Sequence, residues 1–252
     1  MCKACKSLMI KTPTQYPFRL FCFPYAGGGA LIFRKWQERL APHIEVCPVQ
    51  LPGRGNRLSE KPLTSISAFV QYCAPRVQPL LDKPFAFFGH SMGAFISFEL
   101  ARYLRKHYGI EPMHIFVSGC RAPQIPDPDP PTYNLAEEEF CRKLTRLNGT
   151  PKELLANADL MQMMMPLLRA DFEAAETYRY LDGPRLNCPI TAYGGLHDLE
   201  VKREYLSSWA EQTTGRFTLR MFEGDHFFIH QCETLLLYTM GRELFQLQTL
   251  VA

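Results

Sequence analysis

The sequence predicts an α/β fold: a mostly parallel central sheet flanked by helices, with a helical insertion at about residues 124–183. Short apolar runs rich in aromatic and β-branched residues recur along the chain and end in Gly or Pro, the pattern of strands buried on both faces. Helix-like stretches alternate with these runs, and that alternation argues for parallel pairing. A chain of 252 residues, 46% hydrophobic and 21% charged, can bury such a core in one large domain.

In order, the strand candidates are FRLFCFP (Phe18 to Pro24), IEVCPVQ (Ile44 to Gln50), FAFFG (Phe85 to Gly89), MHIFVSG (Met113 to Gly119), PITAYGG (Pro189 to Gly195) and FTLRMF (Phe217 to Phe222). Between the fourth and fifth, from Gln124 to about Leu181, no segment reads as a strand. There the proline-rich PQIPDPDPPTY leads into helical patterns in LAEEEFCRKLTRL and in the stretch opened by Pro151, a residue suited to a first helical turn. Residues 1–17 are expected to be a flexible N-terminal extension, and residues 18–252 the folded domain.

A formal net charge of +3 and a pI near 8.3, with no long run of lysine and arginine, argue against a nucleic-acid or membrane-surface partner. The nine cysteines, an odd number, are scattered through apolar segments such as those of Cys22, Cys47, Cys73, Cys120 and Cys188, which suits a reducing cytoplasm. Cys2 and Cys5 form a lone C-x-x-C with too few companions for zinc. Neither a signal-peptide core nor 18 uninterrupted apolar residues is present, so a soluble cytoplasmic protein without a membrane span is expected.

The chemistry starts at Gly89-His90-Ser91-Met92-Gly93, which follows a strand candidate and precedes a helix. That context turns a loose G-x-S-x-G match into a nucleophile elbow, in which the glycines clear space for a strained turn. Ser91 then projects at a helix N-terminus, where developing negative charge is favoured. A serine hydroxyl needs a base, and the base needs a carboxylate to hold its tautomer; with this elbow the chain order is Ser, acid, His.

GGLHDLEV, after the fifth strand candidate, supplies Asp198, and EGDHFFIH, after the sixth, supplies His226. His230 rivals His226, and Asp171 and Asp225 are alternatives for the acid. His90 is read as orienting the elbow. The i, i+4 pair of His226 and His230 lacks the Glu of a zinc helix, since Phe227 stands there, so no metal is expected. The backbone N–H of Met92 is one oxyanion donor, and the loop FPYAGGGA (Phe23 to Ala30) is the source of the second. That loop is not a phosphate cradle: no Lys-Ser/Thr follows it, and its spacing is not G-x-G-x-x-G.

FPYAGGG, LPGRGNRL (Leu51 to Leu58), DKPFAFFGHSMGA, LRADFEAAETYRY, the GGLHD loop and GDHFF occur in this order over nearly the whole chain. Together they resemble the stand-alone type II thioesterases of nonribosomal peptide and polyketide synthases, relatives of the animal medium-chain fatty-acid releasing thioesterase. The resemblance implies an α/β-hydrolase fold whose insertion is a helical lid. It implies Ser91 as nucleophile, Asp198 and His226 as its partners, and the backbone of Ala26 and Met92 as oxyanion hole. The substrate it implies is an acyl group on the phosphopantetheine arm of a carrier protein; such hydrolysis requires no cofactor, and a monomer is expected.

Arg54 and Arg57 are candidates to meet the carrier or the arm's phosphate, with a solvated or internally paired loop as the alternative. The methionines of LMQMMMPLL are either acyl contacts or plain core. The competing functions are an oxygen-ester hydrolase or lipase, and a non-catalytic binding protein on a hydrolase fold.

Overall fold

Six strands form one sheet in a computed structural model that describes residues 17–40, 42–149 and 152–251; Cys2, Cys5, residues 1–16 and Pro151 lie outside these. The strands are β1 (Phe18–Phe23), β2 (Ile44–Pro48), β3 (Phe85–His90), β4 (Ile115–Ser118), β5 (Ile190–Gly195) and β6 (Phe217–Phe222). Their order is β2-β1-β3-β4-β5-β6 and every pairing is parallel. All of the apolar runs become strands, with ends that differ by a residue or two.

Parallel neighbours need long crossovers, and helices supply them. Between strands lie α1 (Trp36–Leu40), α2 (Ile66–Val77), α3 (Met92–Tyr108), α4 (Glu137–Leu147), α5 (Lys152–Leu155), α6 (Ala158–Glu176) and α7 (Arg203–Ser207), and α8 (Phe228–Gln231) and α9 (Glu233–Val251) follow β6. The side-chain period of two divides β1 between two cores. Phe21 and Phe23 pack with residues of α2 and α3 on one face. Phe18, Leu20 and Cys22 pack with Trp36 of α1 and Leu236, Met240 and Leu244 of α9 on the other. Arg19, the polar residue of this buried strand, is neutralised by Glu45, its register partner on β2, at 3.0 Å.

Local signals fix the helix ends. The Ser65 hydroxyl accepts the N–H of Ala68 at 3.2 Å and caps α2, while Gly109 at φ 67° ends α3. Between β4 and β5 the described residues contain α4, α5 and α6 and no strand. This segment has a small core of its own, in which Phe140 and Leu144 of α4 meet Met161, Met165 and Leu168 of α6. No helix among the described residues is long and apolar enough to cross a membrane.

The sheet order positions the site. The chain adds β2 on one side of β1 and β3 on the other, so the loops leaving the carboxyl ends of β1 and β3 diverge and leave a crevice there. The loop from Pro24 onward and the turn at Ser91 flank that crevice.

Candidate active site

Ser91 lies between the last residue of β3 and the first of α3, with φ 52° and ψ −119°. Few residues with a β-carbon adopt this conformation, and it persists because the surroundings over-determine it. The Ser91 N–H donates to Ser118 O at 2.8 Å, and Ala94 N donates to Ser91 O at 2.9 Å. The two glycines are required by contact: a β-carbon on Gly89 would lie 2.1 Å from Gly93 O, and one on Gly93 would lie 2.2 Å from Phe23 O. The elbow is thus pressed against the end of β1. As the first residue of α3, Met92 has no intrahelical acceptor for its N–H.

Asp198 follows β5 and His226 follows β6, and the two meet: His226 Nδ1 lies 2.9 Å from Asp198 Oδ2. The Asp198 side chain is fully buried and that of His226 is 10% exposed. Asp198 Oδ1 accepts the N–H groups of Glu200 at 2.8 Å and Val201 at 3.1 Å. Each carboxylate oxygen therefore has a donor, the buried charge is satisfied, and the imidazole is oriented through Nδ1. Its Nε2 remains for chemistry, and His226 and Ser91 line one cavity.

The rival residues are engaged elsewhere. His230 Nε2 lies 3.0 Å from the Tyr25 hydroxyl, and burial lowers its pKa. Asp225 accepts from Phe227 N at 2.8 Å and Asn148 Nδ2 at 3.1 Å. His197 pairs with Glu223 at the surface. His90 is fully buried beneath the elbow, with Nδ1 2.9 Å from the Ser118 hydroxyl and its ring 5.2 Å from that of His226. Burial, then the neighbouring His226 and His230, hold its pKa well below the ordinary histidine value.

After β1, Gly28 N donates to Tyr25 O at 2.9 Å and closes a four-residue turn in which Gly27 takes φ 77°. The Gly27 N–H donates to Asp171 Oδ2 at 2.7 Å. Asp171 also accepts two hydrogen bonds from Arg54, each 2.7 Å long, and Arg54 donates a further bond of 3.0 Å to Gly28 O. This network sets the turn that brings Ala26 to the same cavity as Met92 and Ser91. An anion at Gly27 is also wrong for a phosphate cradle, which needs such N–H groups free for the ligand.

Arg54 and Arg57, expected as candidates to meet a carrier, are turned inward instead. Arg54 is 3% and Arg57 6% exposed, paired with Asp171 and, at 2.6 Å, with Glu60. The internally paired alternative is the one found. Sequence reasoning missed that Arg54 and Asp171 support the turn after β1. Both lay in segments singled out as motifs, yet no periodicity links residues so far apart.

The cavity measures about 150 Å³, and its apolar wall includes Phe95, Leu168 and Phe172. The methionines of LMQMMMPLL are not among its lining residues: Met161 and Met165 belong to the insertion's own core, and Met163 is 58% exposed. Cys120 does line it, but burial pushes its thiol up to about 12, leaving too little thiolate for a second nucleophile.

The sequence model of the thioesterase domain matches residues 18–239. Gramicidin S biosynthesis protein GrsT of Aneurinibacillus migulanus is 46% identical over 226 residues, covering 90% of this chain and 88% of that protein. Linear gramicidin dehydrogenase LgrE of Brevibacillus parabrevis is 48% identical over 221 residues, covering 86% of this chain and 84% of that protein. The solved structure of the type II thioesterase BorB from the borrelidin biosynthetic cluster aligns with a TM-score of 0.83 at 37% identity, covering 92% of this chain and 94% of that one.

Proposed function

This chain belongs to the type II thioesterases of nonribosomal peptide and polyketide biosynthesis, and on that premise we propose that it hydrolyses acyl thioesters held on the phosphopantetheine arm of a carrier protein. The observation that carries the proposal is the 2.9 Å contact of His226 Nδ1 with buried Asp198, together with Ser91 and His226 in one cavity.

In the proposed reaction His226 Nε2 takes the proton of the Ser91 hydroxyl as its oxygen attacks the thioester carbonyl. The N–H groups of Met92 and Ala26 receive the negative charge on the carbonyl oxygen, helped by the positive end of α3. Collapse breaks the C–S bond and leaves the acyl group on Ser91; the departing thiolate takes the proton from His226 Nε2 and leaves as the free thiol, so His226 is neutral again. A thiolate leaves readily, so this step needs little help from a general acid. Water, deprotonated by His226, then attacks the acyl-enzyme, and the acid departs as Ser91 recovers its proton. Asp198 stays ionised and stabilises the imidazolium formed in each half. No cofactor enters the cycle, and the helices between β4 and β5 act as the lid over the acyl group.

The test is release of acyl groups from an acylated carrier protein by the wild type and Ser91→Ala, with a matched oxygen ester as control. Cleavage of the carrier thioester, sparing of the ester and silence of the variant support the proposal. Faster turnover of the ester makes the protein an esterase, and no turnover of either across several acyl chains makes it a binding protein.

A further inference from the structure

The C-terminal half of α4 and the residues that cap it touch both loops that carry the proposed acid and base. Lys143 Nζ lies 2.6 Å from Glu200 Oε2, and Arg146, one turn on, reaches Glu200 Oε1 at 3.2 Å. The Lys143 and Glu200 side chains are only 12% and 21% exposed, so solvent screens this pair less than a surface pair. Glu200 is also the residue whose backbone N–H holds Asp198 Oδ1 at 2.8 Å. The cap of α4 continues the bridge to the histidine loop. Asn148, at φ 59°, donates to Asp225, and a β-carbon on Gly149 would fall 1.9 Å from the ring tip of Phe227, so that ring lies flush against the Gly149 backbone.

We infer that Glu200 is a positioning residue that couples the helical insertion to the triad: its carboxylate is held by α4, and its main chain holds Asp198. The inference rests on the reading of Asp198 as the triad acid. With α4 seated, the Lys143 and Arg146 cations pin the 198–201 turn, and Asp198 keeps both its N–H donors and its hold on His226. With α4 withdrawn to admit a substrate, Glu200 loses both cations and the turn is freed. The base is then fully oriented only when the insertion has closed over an acyl group, which ties turnover to occupancy of the cavity.

The test removes the cations and leaves the 198–201 turn unchanged. Lys143→Met with Arg146→Met is expected to lower kcat on an acylated carrier protein about tenfold, within the range for a catalytic group held loosely. KM changes less. Looser contact with the Asp198 carboxylate stabilises the imidazolium less, so the acid limb of the kcat/KM profile moves to lower pH. The downfield proton resonance of His226 Nδ1–H weakens, and the charge-swapped pair Lys143→Glu with Glu200→Lys recovers part of kcat.

Wild-type kcat, pH profile and proton resonance in the double methionine variant overturn the inference, even if its Tm falls. If that variant does not fold, Lys143→Arg and Lys143→Gln replace it: kcat near wild type for Arg and several-fold lower for Gln supports the coupling, and equal values overturn it. Asp198→Asn separates the two levels. Full turnover by Asp198→Asn sinks the triad reading itself, whereas its silence beside an unchanged Lys143 variant sinks the coupling alone.

Discussion

Arg54 and Asp171 meet through two hydrogen bonds of 2.7 Å each, although 117 residues separate them in the chain. The pair joins the loop after β2 to α6, and the third donor on its carboxylate is the N–H of Gly27 in the proposed oxyanion loop. Burial alone pushes the Asp171 carboxyl up, but the guanidinium and the Gly27 N–H favour its charged form, and the two-bond geometry describes an ion pair. Asp171→Ala would strand a buried cation, so a loss of about 3–5 kcal/mol in urea unfolding is expected. Arg54→Met with Asp171→Leu should restore most of that stability but not turnover, because Gly27 would still lack its acceptor. Recovery of both together would show that the pair serves packing alone.

The conformation of Ser91 makes a second prediction that separates chemistry from strain. A residue with a β-carbon at φ 52° and ψ −119° costs about 1–3 kcal/mol. Ser91→Ala keeps that β-carbon and the strain; Ser91→Gly loses both, at an entropic cost of about 0.5–1 kcal/mol. Both variants should be inactive, with the glycine variant the more stable by about 1 kcal/mol in urea. An alanine variant of equal or greater stability would mean that the turn is not strained.

Two glycines offer a matched comparison of crowding with backbone freedom. Gly109→Ala forces φ 67° on an alanine but meets nothing within 4 Å, so a loss of about 1–2 kcal/mol is expected, with activity unchanged. Gly93→Ala drives a methyl group to 2.2 Å from Phe23 O, which neither backbone can yield without parting α3 from β1. The expected loss is about 3 kcal/mol or more, with turnover abolished because the Met92 N–H moves with the helix. Thermal unfolding of both variants checks the contrast.

The legible parts of this molecule are those whose cause is local. Strands such as Phe85–His90 are buried throughout, so continuous apolar runs mark them, and the elbow is compressed into five residues whose glycines have a steric reason. The histidine loop was half legible. His226 and His230 are both in EGDHFFIH, and only packing shows that His226 faces Asp198 while His230 faces Tyr25. Arg54 and Arg57 were legible only as alternatives, a carrier contact or an internally paired loop, because the loop alone does not show the partners, and Asp171 arrives from a helix of the insertion. The methionine-rich stretch has a composition that suits either a ligand wall or a core, and the helix phase that sends Met161 and Met165 inward follows from where α4 packs.

Two buried histidines make stability depend on pH above the ordinary carboxylate range. His114 packs face to face with Phe116, its ring centroid 4.2 Å away, and burial, aided by Arg216, lowers its pKa to about 3. Glu243 lies 3.6 Å from His114 Nε2 and pulls the other way, but its carboxylate already accepts from Thr191 at 2.6 Å and Arg220 at 2.9 Å, so burial prevails. His90 is held low as well. Between the unfolded histidine pKa of about 6.5 and the carboxylate range near 4, the unfolded chain binds protons at these two residues that the folded chain refuses. Stability therefore falls as pH falls, by up to about 1.4 kcal/mol per pH unit for each histidine. Urea unfolding from pH 7.5 to 4.5 should show this slope, and His114→Gln, which keeps a partner for Thr191, should flatten it by about one proton's share. An unchanged slope in that variant would mean that His114 titrates alike in the folded and unfolded chains.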